Sequence, residues 1–261
     1  MREALRRHWP EYLMEAAGLG LFMVSASLFA ALLFHPASPA APVLGGPLTR
    51  RALMGLAMAL TAVALIYSPW GKQSGAHFNP AVTLTFFRLG KVAGWDAFFY
   101  VAAQFVGGAS GMLLVAAVAT SLVADPAVNY VVTVPGAFGP AVAFVAELAI
   151  AFCLMIVVLT VSNTQHLARF TGLFAGALVA TYITVEAPLS GMSLNPARTF
   201  ASALPAETWT AFWVYLTAPL AGMLLAAEVR VRWARRPVMC AKLHHQNARR
   251  CIFHCGYMAA S

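Results

Sequence analysis

The sequence predicts an all-α membrane protein with six transmembrane helices and two re-entrant half-helices, built as inverted three-helix repeats. Three observations carry this expectation. Of 261 residues, 61% are apolar and 10% charged, with a mean hydropathy of +0.74. Soluble domains hold about 45–50% apolar and about 25% charged residues, so the surplus apolar surface needs lipid to face. Six windows nearly free of charge run along the chain, and one short Asn-Pro-Ala segment occurs twice.

The windows cover residues 12–34, broken only by Glu15, then 52–67, 97–124, 141–161 broken only by Glu147, 171–185 and 211–227. A bilayer core takes about 20 helical residues, with about 17–25 tolerated, so the two shortest windows must borrow flanking residues. The first window is too long for the apolar core of a cleaved signal peptide. Its end, Leu32-Leu33-Phe34, also offers no small-residue cleavage site.

Lys and Arg placement orients the spans. With both termini cytoplasmic, 14 of the 17 basic residues lie inside, leaving Arg50, Arg51 and Arg198 outside. The net charge of +8 is then accounted for by topology and attraction to anionic lipid in a plasma or inner membrane, with no nucleic acid implied.

An internal repeat is present. A single Glu within an apolar helix occurs at Glu15 and again at Glu147. Ser74-Gly75-Ala76-His77-Phe78-Asn79-Pro80-Ala81 is matched by Ser190-Gly191-Met192-Ser193-Leu194-Asn195-Pro196-Ala197, and the stretch from Tyr100 to Gly107 by that from Tyr215 to Gly222. Each half holds three spans, an odd number, so the second inserts upside down. The organisation expected is a cytoplasmic segment at 1–10, a first repeat at 11–125, an extracytoplasmic connection at 126–139, a second repeat at 140–233 and a cytoplasmic Cys/His-containing tail at 234–261. Gly107 with Gly111, and Gly172 with Gly176, are small-residue pairs suited to close helix crossings inside the bundle.

Asn is a strong helix N-cap and Pro is favoured at the first helical position, so short helices are expected over 80–89 and 196–204. At about 1.5 Å per residue each crosses only half a bilayer. Irregular backbone at that depth is tolerated where it lines a wet cavity, so the duplicated motif implies a pore. Two facing helix N-termini place roughly half a positive charge each at its centre. Asn79 and Asn195 add amide donors, an arrangement that repels cations and protons while replacing the hydrogen bonds of a neutral molecule such as water.

These residues resemble the aquaporin / aquaglyceroporin (major intrinsic protein) family over nearly the full chain, from about 11 to 233. The resemblance is carried by the Ser74–Thr83 stretch, by Asn195-Pro196-Ala197-Arg198, by the two helix-buried glutamates and by Ala103-Gln104. It implies a passive channel in a homotetramer with one pore per subunit and no cofactor. It also implies a central filter of Asn79, Pro80, Ala81, Asn195, Pro196 and Ala197, and an outer constriction at Arg198.

Arg198 is reached independently, because an arginine at helix centre costs about 2.5–3.5 kcal/mol in lipid and so faces water or snorkels to the outer headgroups. Glu15 and Glu147 fit a proton relay; the resemblance implies instead that they brace the re-entrant loops through backbone N–H groups. His77 fits either a pH gate or a neutral loop anchor. Carrying family offsets across places the rest of the outer constriction at Ile183, Met192 and Ala59. Water-specific members have His where Ile183 stands, while glycerol-conducting members have Asp where Thr199 stands. Water is therefore expected, with other small neutral solutes such as glycerol, urea and ammonia unranked.

The tail carries Cys240, His244, His245, Cys251, His254 and Cys255. Zn²⁺ accepts thiolate and imidazole, although the spacing matches no standard finger. Palmitoylation and a plain reduced tail are the alternatives. No Walker loop, dinucleotide fingerprint, nucleophile elbow or HExxH helix supports an enzyme. A proton-coupled transporter and a non-conducting structural protein of the same fold are the remaining rival classes.

Overall fold

A computed structural model of the chain describes residues 1–234 and 237–257. Uninterrupted apolar sequence forms the long helices, and proline, glycine and capping residues cut the short ones. The elements are α1 (Arg2–Phe34), α2 (Pro47–Tyr67), α3 (Pro69–Ser74), α4 (Pro80–Arg88), α5 (Gly94–Val118) and α6 (Thr120–Val123). The second half follows as α7 (Gly139–Val161), α8 (Thr171–Val185), α9 (Ala187–Ser190), α10 (Pro196–Ala206) and α11 (Phe212–Ala234). No strand occurs among the described residues.

Helices α1, α2, α5, α7, α8 and α11 are long and apolar enough to cross a membrane, α8 by including a 3₁₀ turn that starts the span at Ala168. The window 52–67 gains its length at Pro47, where Arg50 and Arg51 are carried on carbonyls: Arg50 on Leu33 at 3.2 Å and Arg51 on Thr184 at 3.1 Å. The window 97–124 is not one helix, because Ala119 leaves helical geometry and ends α5.

The inverted repeat is visible in which helices touch. α1 packs along α5, and the equivalent α7 along α11; α2 packs on its own counterpart α8. Half-helix α10 lies against α5, and α4 against α11, so each half-helix leans on the third span of the other repeat. Both glycine pairs sit at these crossings: Gly111 faces Gly20 of α1, and Gly176 faces Ala59 and Val63 of α2.

Candidate pore

The half-helices begin as their sequence requires. Asn79 is extended, its side-chain oxygen accepts from the Ala81 N–H at 2.8 Å, and Pro80 opens α4. Asn195 does the same for Ala197 at 3.0 Å and Arg198 at 3.2 Å. α4 ends at Arg88 and α10 runs on to Ala206, through Pro205.

Each re-entrant loop reaches its asparagine through three left-handed residues at matched positions: Gly75, Ala76 and Phe78 in the first, Gly191, Met192 and Leu194 in the second. For non-glycine residues this costs about 1–3 kcal/mol each, so something must hold the loops. The glutamates do. Glu15 accepts from Ser74 Oγ at 2.7 Å, from the N–H of His77 at 3.1 Å and of Phe78 at 2.6 Å, and from Gln104 Nε2 at 2.8 Å. Glu147 accepts from Ser190 Oγ at 2.8 Å and from the N–H of Ser193 at 2.6 Å and Leu194 at 2.7 Å. Both are fully buried.

Two residues visible in the sequence only as repeat partners complete the brace. Tyr100 donates its hydroxyl to the Ser74 carbonyl at 2.7 Å, and Tyr215 to that of Ser190 at 2.6 Å. Gln104, whose repeat counterpart is Pro219, ties Glu15 to Thr83 at 3.0 Å. His77 occupies the place that Ser193 takes in the other half. Ser193 Oγ lies 2.5 Å from Thr199 Oγ1, and His77 Nδ1 lies 3.0 Å from Thr83 Oγ1. Its Nε2 faces the Ala241 carbonyl at 2.9 Å and must donate, so Nδ1 of a neutral ring accepts from the threonine.

Between the loops runs a cavity of about 390 Å³ lined by both asparagines, Arg198, Ile183 and Met192. Asn79 and Asn195 reach it from opposite half-helices. Pro80, Ala81, Pro196 and Ala197 are buried in the helix starts and shape the caps without facing the cavity. Arg198 presents a buried Nη1 with no hydrogen-bond partner, a donor left for a molecule in the cavity.

Ala59 is corrected. It is buried against α8, where its carbonyl would lie 3.3 Å from a Cβ at Gly176, and it is not in the cavity wall. Met54 and Met58 are in that wall instead. Arg51 contacts Thr184 and Gly55 faces Ala180 and Thr184, which puts Met54 at the level of Ile183.

The tail, residues 237–257, folds back against both repeats, bonding Gly75 in the first and Asn163 in the second. Of the six candidate metal ligands, Cys240, His245, Cys251 and Cys255 converge. His244 stands edge-on to Tyr67 at 5.1 Å, and His254 Nδ1 lies 2.9 Å from the Gly90 carbonyl, so these two are outside the cluster.

Residues 5–229 match the family described as Major intrinsic protein. The chain is 38% identical over 167 residues to Aquaporin NIP6-1 of Arabidopsis thaliana, covering 64% of this chain and 53% of that relative, about half its length. It is 34% identical over 177 residues to Glycerol uptake facilitator protein-like 6 of Lactiplantibacillus plantarum, covering 67% of this chain and 81% of the relative. The X-ray structure of the aquaglyceroporin from Plasmodium falciparum is similar in fold, with a TM-score of 0.71 at 20% identity, covering 87% of this chain and 97% of that one.

Proposed function

Because the chain belongs to the major intrinsic protein family, we propose that it is a passive transmembrane channel for water and small neutral solutes, excluding ions and protons. The carrying observation is the convergence of Asn79 and Asn195 on one cavity from opposed helix N-termini. Each amide nitrogen carries two donor hydrogens. One is committed across the loops, from Asn79 to the Leu194 carbonyl and from Asn195 to the Phe78 carbonyl, both at 2.8 Å. The other is left to meet a lone pair in the lumen. A permeating water exchanges bulk hydrogen bonds for these donors, while the facing helix dipoles disfavour cations.

Arg198, Ile183, Met192 and Met54 form the outer constriction in this reading. With one cation and three apolar side chains, it has few groups that compete for hydrogen bonds and room for a solute larger than water, in keeping with a relative named as a glycerol uptake facilitator. Glu15 and Glu147 are poor proton carriers, since four donors hold the first carboxylate and three the second, each aimed from the re-entrant loop or a neighbouring side chain. Both termini belong on the cytoplasmic side of a plasma or inner membrane, as the basic residues favour, and the apolar outer faces of the six spans suit lipid and neighbouring subunits of a homotetramer.

Stopped-flow light scattering on proteoliposomes tests this with water, glycerol, urea and ammonia side by side. Channel-bearing vesicles are expected to shrink or swell faster than bare lipid and to stay tight to ions. Equal rates with and without protein, measured with the C-terminal segment 237–257 released from the cavity mouth, would refute conduction.

A further inference from the structure

One end of the cavity is bordered by the chain's own tail, with Leu243 in its wall. Residues 237–257 form no regular helix, yet Val238, Cys240, Ala241, Lys242, Leu243 and Phe253 are all at most 7% exposed. They sit on the first re-entrant loop. The Leu243 N–H donates to the Gly75 carbonyl at 3.1 Å, the Ala241 carbonyl accepts from His77 at 2.9 Å, and the Phe253 ring stacks on His77 at 5.4 Å. These loop groups would otherwise be left to water. The Leu243 side chain reaches the cavity wall.

The tail is tied on several sides of this mouth. Arg250 Nε donates to Glu11 at 3.0 Å on α1, the Met239 N–H to Asn163 at 2.7 Å beyond α7, and the His254 N–H to the Lys91 carbonyl at 3.0 Å beyond α4. Ordering an irregular segment costs about 1–2 kcal/mol of backbone entropy per residue, and with no helix of its own the segment needs a cross-link.

Its ligand geometry offers one. Cys240, His245, Cys251 and Cys255 place their sulfur or ring nitrogen atoms within 4.8 Å of one another. Cys240 Sγ lies 3.6 Å from Cys251 Sγ, and Cys255 Sγ lies 3.6 Å from His245 Nε2. A tetrahedral Zn²⁺ with Zn–S of about 2.3 Å and Zn–N of about 2.0–2.1 Å has edges of about 3.8 Å between sulfurs and about 3.5 Å from sulfur to nitrogen. Both distances fit those edges, and the sulfurs are far beyond the roughly 2.05 Å of a disulfide. Three thiolates and a neutral imidazole around Zn²⁺ leave one negative charge. Lys242, 2% exposed and donating to the carbonyls of Arg249 at 3.1 Å and Arg250 at 2.6 Å, is a buried cation placed to offset it. Stacking on Tyr257 at 4.6 Å fixes the His245 ring.

We propose that Cys240, His245, Cys251 and Cys255 bind one Zn²⁺, and that this metal clamps the tail across the mouth and closes the cavity to water. The closure rests on the channel reading above. Binding displaces the three thiol protons and requires no redox step. Removing the metal removes the cross-link, leaving the tail on its buried apolar contacts, its hydrogen bonds and a half-exposed Arg250 at the rim.

The test uses the full chain. Purified protein is stripped with a chelator and reloaded with Zn²⁺, or with Co²⁺ as an absorbing probe, and water permeability is read in proteoliposomes with and without a membrane-permeant chelator. C251S/C255S is the variant. The expected result is one tightly held metal per chain, thiolate-to-cobalt absorption lost in the variant, and permeability rising about tenfold on chelation to the variant's level. Substoichiometric metal, metal retained by the variant, or a Cys240–Cys251 disulfide in its place would overturn the site. Stoichiometric metal with equal permeability in loaded, stripped and variant protein, all above bare lipid, overturns the clamp alone. Permeability equal to bare lipid in all three overturns the clamp and the channel reading together.

Discussion

The Asn79 side-chain nitrogen donates to the Leu194 carbonyl at 2.8 Å, and so joins the two halves of the molecule at their meeting point. Asn195 returns the bond to Phe78 at the same distance. Each asparagine therefore performs two tasks, its oxygen capping its own half-helix and one N–H fastening the opposite loop, and in the channel reading proposed above the second N–H serves the lumen. Asn195→Asp keeps the size and the cap but replaces both donors with an anion. Each lost neutral hydrogen bond is worth about 0.5–1.5 kcal/mol, so water permeability should fall about tenfold, and the negative charge should admit cations or protons. A pH-sensitive dye trapped in proteoliposomes, read beside light scattering, checks both effects; unaltered water flux would contradict the assigned geometry.

Glu147 holds a loop containing left-handed Met192 and Leu194 through two backbone N–H groups and one serine. Glu147→Gln turns one acceptor into a donor aimed at N–H groups. Charge-assisted hydrogen bonds contribute about 1.5–3 kcal/mol, so the variant should melt several degrees lower in detergent and lose most of its water permeability. Glu15→Gln should behave alike, with Gln104 able to turn and recover part of the loss. A Glu147→Gln protein that folds normally and loses only uphill, proton-driven uptake would favour a coupled transporter.

The spans, the inverted repeat and the paired asparagines were legible because each leaves a pattern along the chain: charge-free length, recurrence in order, and a cap followed by proline. Ala59 shows where counting fails. Its position was reached by offset across a loop that contains α3, whose six helical residues rise only about 9 Å, so distance along the chain stops measuring depth. The left-handed Ala76 and Phe78 carry no mark at all, since nothing in an alanine or a phenylalanine announces a positive φ. The tail was readable as a Cys/His cluster but not as a cover. Its docking depends on contacts to Gly75, His77 and Glu11, more than 150 residues away in sequence, and no periodicity records them.

Ile183 and Arg198 both line the cavity, one apolar and one cationic, and the channel reading proposed above places them together at its outer constriction. Ile183→His introduces a ring that fills space and competes for hydrogen bonds. Glycerol uptake should drop about tenfold while water changes less than about twofold, since a mismatched polar or steric contact costs about 1–3 kcal/mol only for the larger solute. Arg198→Val should have the converse effect, loosening exclusion of cations or protons by removing the fixed charge. The solute-to-water ratio in stopped flow and the ion leak in dye-loaded vesicles measure the two. A ratio unmoved by Ile183→His would place the constriction elsewhere.

Helix α5 contains two glycines in opposite circumstances, which makes it its own control. A Cβ on Gly107 would lie 2.1 Å from the Ala16 carbonyl oxygen of α1, and both atoms belong to helical backbone that cannot turn aside. Gly94, at the start of the same helix, would place a Cβ in ordinary contact, 3.7 Å from Phe87. Gly94→Ala should therefore stabilise the protein by about 0.4–1 kcal/mol, through the entropy of the unfolded chain. Gly107→Ala must part α1 from α5, and overpacking of this kind costs about 1–3 kcal/mol. Because α1 also carries Glu15, that displacement should lower permeability along with the melting temperature. Thermal unfolding of the two variants beside the parent decides it. If both alanines shifted the midpoint equally, close backbone approach would not be what holds α1 to α5.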